Sequence, residues 1–265
     1  MKTESLWLHR FATFVAFAAL MAIAAGAIVT SLERPIATNA AVSINPAFEL
    51  WHSILGSAAV LFALGLAIAL RSPLGWIALA AGVFDAALPH FSPILHAVLA
   101  QVFFGAAVGV MLVTSASWKR GTELIEDTWR PSMRSLAIAV PAIILLQTTL
   151  GASYRYRALG VIWHILNAMI VLLLILIVSV FLIRQFPQHL TLRPAAIALA
   201  VITSIQVMLG FTTFLMLILF PETSLAVIIT GVLHVSTGAL TFGAGVVLAI
   251  QIRRNIRGER SRTGQ

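Results

Sequence analysis

Apolar residues gather along this chain into eight blocks, at 8–31, 49–70, 73–89, 93–115, 135–153, 159–184, 194–219 and 224–252, separated by polar joints. Seven are long enough to cross a hydrocarbon core of about 30 Å as helices rising about 1.5 Å per residue. The third is shorter: Leu74 to Leu88 covers only about 22 Å as a helix, and it contains Asp85. Whether it spans sets the parity of everything after it. The polar joints test that parity. With eight spans and the N-terminus inside, only Arg34, Arg155 and Arg157 of the 17 Lys and Arg residues fall outside. Without the third span, the cluster from Lys119 to Arg134 would move outside, against the bias of basic residues toward the cytoplasm. The tryptophans agree: Trp51 and Trp163 fall at outer helix ends, and Trp7, Trp76, Trp118 and Trp129 at inner ends, as interfacial belts require.

The pattern therefore predicts an all-α integral membrane protein with eight transmembrane helices and both termini cytoplasmic. The longest polar connection divides it into helices within 1–115, a cytoplasmic linker at 116–134, helices within 135–252 and a basic tail at 253–265 that is frayed or lipid-facing. An internal repeat supports the division. Trp51-His52 opens the second block and Trp163-His164 the sixth. Leu95-His96 is followed eight residues after the histidine by Phe104-Gly105-Ala106, and Leu233-His234 at the same distance by Phe242-Gly243-Ala244. Two repeated four-helix bundles running in the same direction are expected, which disfavours the inverted repeat of many transporters.

Composition agrees: 60% of the 265 residues are hydrophobic, 10% are charged, and mean hydropathy is +1.01. A soluble domain is closer to a quarter charged. The net charge of +8 lies in short clusters between apolar runs, so it marks topology and a lipid bilayer as partner, with no nucleic acid. Phe11 to Val29 exceeds the h-region of a signal peptide and is expected to remain as the first span. The absence of cysteine excludes disulfides, thiolate-ligated heme and cysteine-held clusters, leaving histidine as the metal ligand.

From its outer histidine to its first inner charge, each even-numbered block runs a similar length. His52 to Arg71 is 19 residues, His96 to Lys119 is 23, His164 to Arg184 is 20 and His234 to Arg253 is 19. Four imidazoles therefore share one depth near the outer edge, two per half. A lone intramembrane histidine is usually a structural hydrogen-bonder, but matched pairs on separate helices are what bis-histidine heme ligation requires. His9, His90 and His189 are read as surface or loop residues. Glu49 lies three residues before His52, on the same helix face; its bland reading is a carboxylate favoured by the helix dipole. Arg155 and Arg157 would suit anionic propionates or lipid headgroups. Gly151, Gly210, Gly238, Gly243 and Gly245 are expected at helix contacts.

These features resemble the heme A synthase family of cytochrome oxidase assembly proteins. The residues carrying the resemblance are Glu49-x-x-His52, Leu95-His96-Ala97-Val98-Leu99-Ala100-Gln101, Leu159-Gly160-x-x-x-His164 and His234 followed by Gly238-Ala239-Leu240. Gln147-x-x-Leu150-Gly151 and Gln206-x-x-Leu209-Gly210 add to it. The similarity covers nearly the whole chain and is strongest from Gln147 onward. It implies an enzyme of the cell inner (plasma) membrane that oxidises a methyl group of heme O to the formyl of heme A. His164 and His234 would ligate a resident heme b, His52 and His96 would face heme O, and Glu49 would be the catalytic acid. Implied partners are an electron donor, heme O synthase and cytochrome oxidase subunits. The family's first outer loop commonly carries a cysteine pair and a Trp-Pro segment, and residues 32–47 have neither; the third helix also lacks a Gln-x-x-Leu-Gly motif. The competing expectation is a non-catalytic bis-histidine di-heme electron carrier or heme-handling assembly factor.

Overall fold

A computed structural model describes residues 2–33, 46–88, 92–122, 124–127, 129 and 131–257. Arg34, His90, Arg130, most of the first outer loop and the tail from 258 onward lie outside the described residues. The elements in order are α1 (Lys2–Glu33), α2 (Pro46–Leu70), α3 (Pro73–Ala87), α4 (Pro93–Thr114), a 3₁₀ turn (Trp118–Arg120) and β1 (Ile125–Glu126). They continue with α5 (Met133–Arg155), α6 (Val161–Gln185), α7 (Leu192–Leu219), α8 (Leu225–Asn255) and β2 (Ile256–Arg257). Among the described residues seven helices are long and apolar enough to cross a membrane; α3, at 15 residues, is the shorter exception. The all-helical fold fits a multi-pass membrane protein. Large apolar side chains such as Leu61, Met169, Phe211 and Ile218 are exposed on its outside, where lipid rather than water would meet them.

Serine starts four of the helices. Ser72, Ser92, Ser132 and Ser224 each accept a backbone N–H from the first turn of α3, α4, α5 and α8, at 3.1–3.4 Å. Pro73 and Pro93 follow two of these caps, where a missing N–H costs nothing. Arg71 turns the chain between α2 and α3 with φ +48°.

Helices α1 to α4 touch in a closed cycle, each against the next and α4 against α1; α5 to α8 do the same. One apolar core is built from α1–α4 with Ala239, and a second from α5–α8 with Ile256. The two sets meet through α1 and α4 against α8, and α4 against α5. At that seam a Cβ on Gly105 would meet Phe242 at 2.5 Å, and one on Gly243 would meet Phe104 at 2.9 Å. Each Phe-Gly pair of the sequence repeat thus seats its ring over the other's glycine.

The 116–134 joint and the start of the expected tail form a docked platform. Arg253 to Asn255 continue α8, and Ile256–Arg257 pair in parallel with Ile125–Glu126. Buried Asp127 receives the N–H groups of Met133 and Arg134, both at 3.2 Å, so a carboxylate sits on the positive end of α5. Arg254 donates to the carbonyl of Trp118 and stacks on its ring, 3.9 Å from the centroid. Two histidines expected at the surface are also structural. Nδ1 of buried His189 accepts the N–H groups of Thr191 and Leu192, both at 3.2 Å, at the start of α7. His9 Nδ1 lies 3.1 Å from the carbonyl of Met111, tying α1 to α4. His189 lies in the loop between α6 and α7, as expected of a surface or loop residue, but is buried there, while His9 departs from that expectation by lying within α1 against the end of α4. Asp127→Ala is expected to destabilise the protein by about 1 kcal/mol, lowering its melting temperature in detergent by about 2–4 °C. An unchanged melting curve would show that the cap is dispensable.

Candidate functional site

The structure brings the four depth-matched histidines together as two pairs. His52 of α2 faces His96 of α4 with ring centroids 5.9 Å apart and planes at 81°. His164 of α6 faces His234 of α8 at 6.2 Å and 87°. All four are partly buried, and main-chain oxygens one helix away hold three of them. Nδ1 of His52 is 3.0 Å from Ala22 O on α1, Nδ1 of His164 is 3.2 Å from Gln147 O on α5, and Nδ1 of His96 is 3.0 Å from Asp85 O on α3. Donation from Nδ1 would leave Nε2 of His52 and His96 as the ligating atom, whereas the Gln147 amide stands 3.3 Å from Nε2 of His164.

Space for these rings comes from glycine. A Cβ on Gly26, Gly151 or Gly210 would lie 2.8, 2.9 and 2.9 Å from Cε1 of His52, His164 and His234 respectively. No real Cβ could be so close, so α1, α5 and α7 approach their histidines only because these positions carry no side chain. The expectation that Gly151 and Gly210 are contact positions is thereby sharpened: what they contact is imidazole. On α3 no glycine serves this purpose, and Asp85 stands against His96, with Oδ1 2.8 Å from Nδ1.

The C-terminal pair is surrounded by amides. Gln147 Nε2 lies 3.0 Å from His164 Nδ1 and donates to the His164 carbonyl at 3.0 Å, while Asn167 Nδ2 donates to Gln147 Oε1 at 2.8 Å. Gln206 Nε2 is 3.5 Å from His234 Nε2. Gln147 and Gln206 were visible as motif residues. Asn167, one turn after His164, and Gly26 were not, because single polar or small residues in a helix carry no spacing signal. Asp85 was visible as an acid in an apolar run, but its partner lies across a helix junction that periodicity does not cross.

The remaining expected site residues are placed less centrally. Glu49 is exposed in the first turn of α2, where the dipole favours it. Arg155, at the end of α5, donates from Nη2 to Ala27 O at 2.6 Å and to Ser31 Oγ at 2.8 Å, both on α1. It therefore joins the two helix sets one residue from Gly26 and four from Gly151. Arg157, in a left-handed conformation with φ +59°, reaches Glu222 only at 4.0 Å, with both side chains well exposed, an ion pair of little energetic weight. Among the described residues no group of three or more His, Cys, Asp or Glu side chains is arranged to hold a metal ion. The chain matches no known protein-family model, and no curated protein aligns with it significantly.

Two glycine substitutions separate packing from propensity. Gly210→Ala should lower the melting temperature, since overpacking of this kind costs about 1–3 kcal/mol. Gly231→Ala on α8, where a Cβ meets nothing within 4 Å, should leave it unchanged or raise it. Equal responses would show that the imidazole cradle is not close-packed in solution.

Proposed function

We propose that the chain is a heme A synthase-like membrane oxidoreductase, in which His164 and His234 hold a resident heme b and His52 and His96 face heme O as substrate. One observation carries this reading: the spacing of both histidine pairs. Imidazole nitrogens each about 2 Å from one metal ion place their ring centroids about 6 Å apart, and the two pairs stand at 5.9 and 6.2 Å. The glycine cradles support it as well, because they leave room for the imidazoles and for nothing larger on that side. Two protein ligands suffice when a porphyrin supplies the rest, so a site of this kind needs no larger cluster of ligating side chains.

When bound, heme supplies an iron that cycles between ferric and ferrous states. The chain's own part is to hold His164 by the Gln147 carbonyl and amide, with Asn167 fixing that amide, and to present heme O in the other half. Oxidation of the methyl to a formyl takes dioxygen as oxidant and oxygen source, with electrons from the donor and protons leaving as water; Glu49, three residues before His52, is the carboxylate available to relay those protons, or to stabilise positive charge at that carbon. Arg155 and Arg157, near the start of α6, are the cations available to heme propionates. The same reading takes the closed helix cycles as two copies of one four-helix unit, with eight spans in the plasma membrane, both termini cytoplasmic and the histidines toward the outer face. An electron donor, heme O synthase and cytochrome oxidase subunits are its proposed partners. The exposure of Glu49 favours a second reading, a di-heme electron carrier or heme-handling factor without catalysis.

Co-expression with a source of heme O, followed by heme extraction and chromatography, tests this. Heme b and heme A are expected from the wild type. Glu49→Ala should keep heme b and form heme A about 10²–10⁴-fold more slowly, the range typical for removing a general acid–base group. Heme b in both halves, with no heme A in either protein, would replace the enzyme reading by the carrier reading.

A further inference from the structure

Three of the four paired histidines stand against glycine, and the fourth stands against a carboxylate. Asp85 Oδ1 is 2.8 Å from His96 Nδ1, and the Asp85 carbonyl is 3.0 Å from the same nitrogen. Oδ1 is itself buried and has no hydrogen-bond partner among the described residues: the ring Nδ1 bonds to the Asp85 carbonyl, and the carboxylate stands beside it as an ion-pair partner. Helix geometry does not account for this acid. Asp85 lies in the last turn of α3, which ends at Ala87, where the macrodipole opposes a negative charge. Its main-chain oxygen already accepts from Leu88 N at 3.3 Å, so its side chain is not needed to cap the helix. A carboxylate kept at an unfavourable helix end, within an apolar region, calls for a partner, and the partner present is the His96 imidazole.

The opposite pair has the opposite surroundings. His164 and His234 are contacted by the neutral amides of Gln147 and Gln206, and the charged residue in the last turn of the helix behind His164 is Arg155, about one turn beyond Gly151.

We propose that Asp85 is a positioning residue that makes the two iron sites unequal: its carboxylate, 2.8 Å from His96 Nδ1, turns His96 into a stronger donor and holds the N-terminal site at the lower reduction potential. This rests on the reading of both pairs as heme ligands. Its physical basis is general. Ligation at Nε2 makes Nδ1–H a better donor, a carboxylate answers that demand more strongly than a carbonyl or amide, and the added electron density favours ferric over ferrous iron. The Arg155 charge acts in the other direction at the C-terminal site.

The test uses the full-length protein purified with the heme b of its expression host, titrated by optical spectroelectrochemistry. The wild type should show two midpoint potentials, and His52→Ala should remove the lower one, which assigns it to the N-terminal pair. Asp85→Asn should move that lower potential upward while the other stays in place. Loss of an outer-shell partner is worth about 10- to 100-fold in ligand preference, which is about 60–120 mV for a one-electron couple. Asp85→Glu, which keeps the carboxylate, should shift less than Asp85→Asn. Two hemes whose N-terminal potential is the higher one overturn the inference in the wild type alone, without any Asp85 variant. So does an Asp85→Asn protein that keeps both hemes at unmoved potentials; either result leaves the bis-histidine reading standing. A wild type that binds no heme overturns both.

Discussion

An imidazole within an apolar slab must find partners for its nitrogens on neighbouring helices, because no water is at hand to supply them. That constraint organises the site. Each paired histidine sits on an even-numbered helix and takes its partners from the odd-numbered helix before it. Ala22 serves His52, Asp85 serves His96, Gln147 serves His164 and Gln206 serves His234. Glycine is the second half of the arrangement. A main-chain oxygen comes within 3.0–3.2 Å of His52 and His164 only if the donating helix lies close, and the helix lies close because Gly26 and Gly151 carry no Cβ. Small residues and polar partners are thus one device.

The helices were legible in the sequence because apolar runs of this length have few alternatives, and the structure shifts their ends by only a few residues. α1 extends furthest beyond its run, to Lys2. Its polar extension is helical without being apolar, which hydropathy cannot register. The four histidines were legible from depth alone, since a count of residues to the inner charge converts directly into height. Which histidine faces which came from the repeat and the resemblance, not from depth, which fixes only a plane; the structure places His52 beside His96 and His164 beside His234. The partner of Asp85, and Asn167 itself, were missed for a related reason. Their roles come from a neighbouring helix, and no spacing along their own helix encodes it.

The platform of 118–134 and 254–257 shows the converse. Read as a linker and a tail, these segments are polar and short of periodicity. Their order comes from side chains that reach over a hundred positions: Arg254 to Trp118, and Arg134 Nη1 to the carbonyl of Ile256 at 3.3 Å. Contacts at that separation leave no local signature, although Trp118 and Arg254 were each visible as interfacial residues.

The two ends of the molecule divide the work. Along α1, His9 and Gly26 are about 25 Å apart, and along α8, His234 and Arg254 are about 30 Å apart. The end holding His9, His189, Asp127 and Arg254 is fastened by caps, a strand pair and a cation–π contact. At the end holding the histidine pairs, the described cross-set polar tie is Arg155 to α1. On the heme reading proposed above, a planar molecule would enter between the facing imidazoles at the end with fewer described polar ties. The two halves differ in what lines their histidine pairs. The C-terminal pair is enclosed by an amide network suited to retaining a group, while the N-terminal pair carries the acids, Glu49 at its exposed edge and Asp85 behind His96.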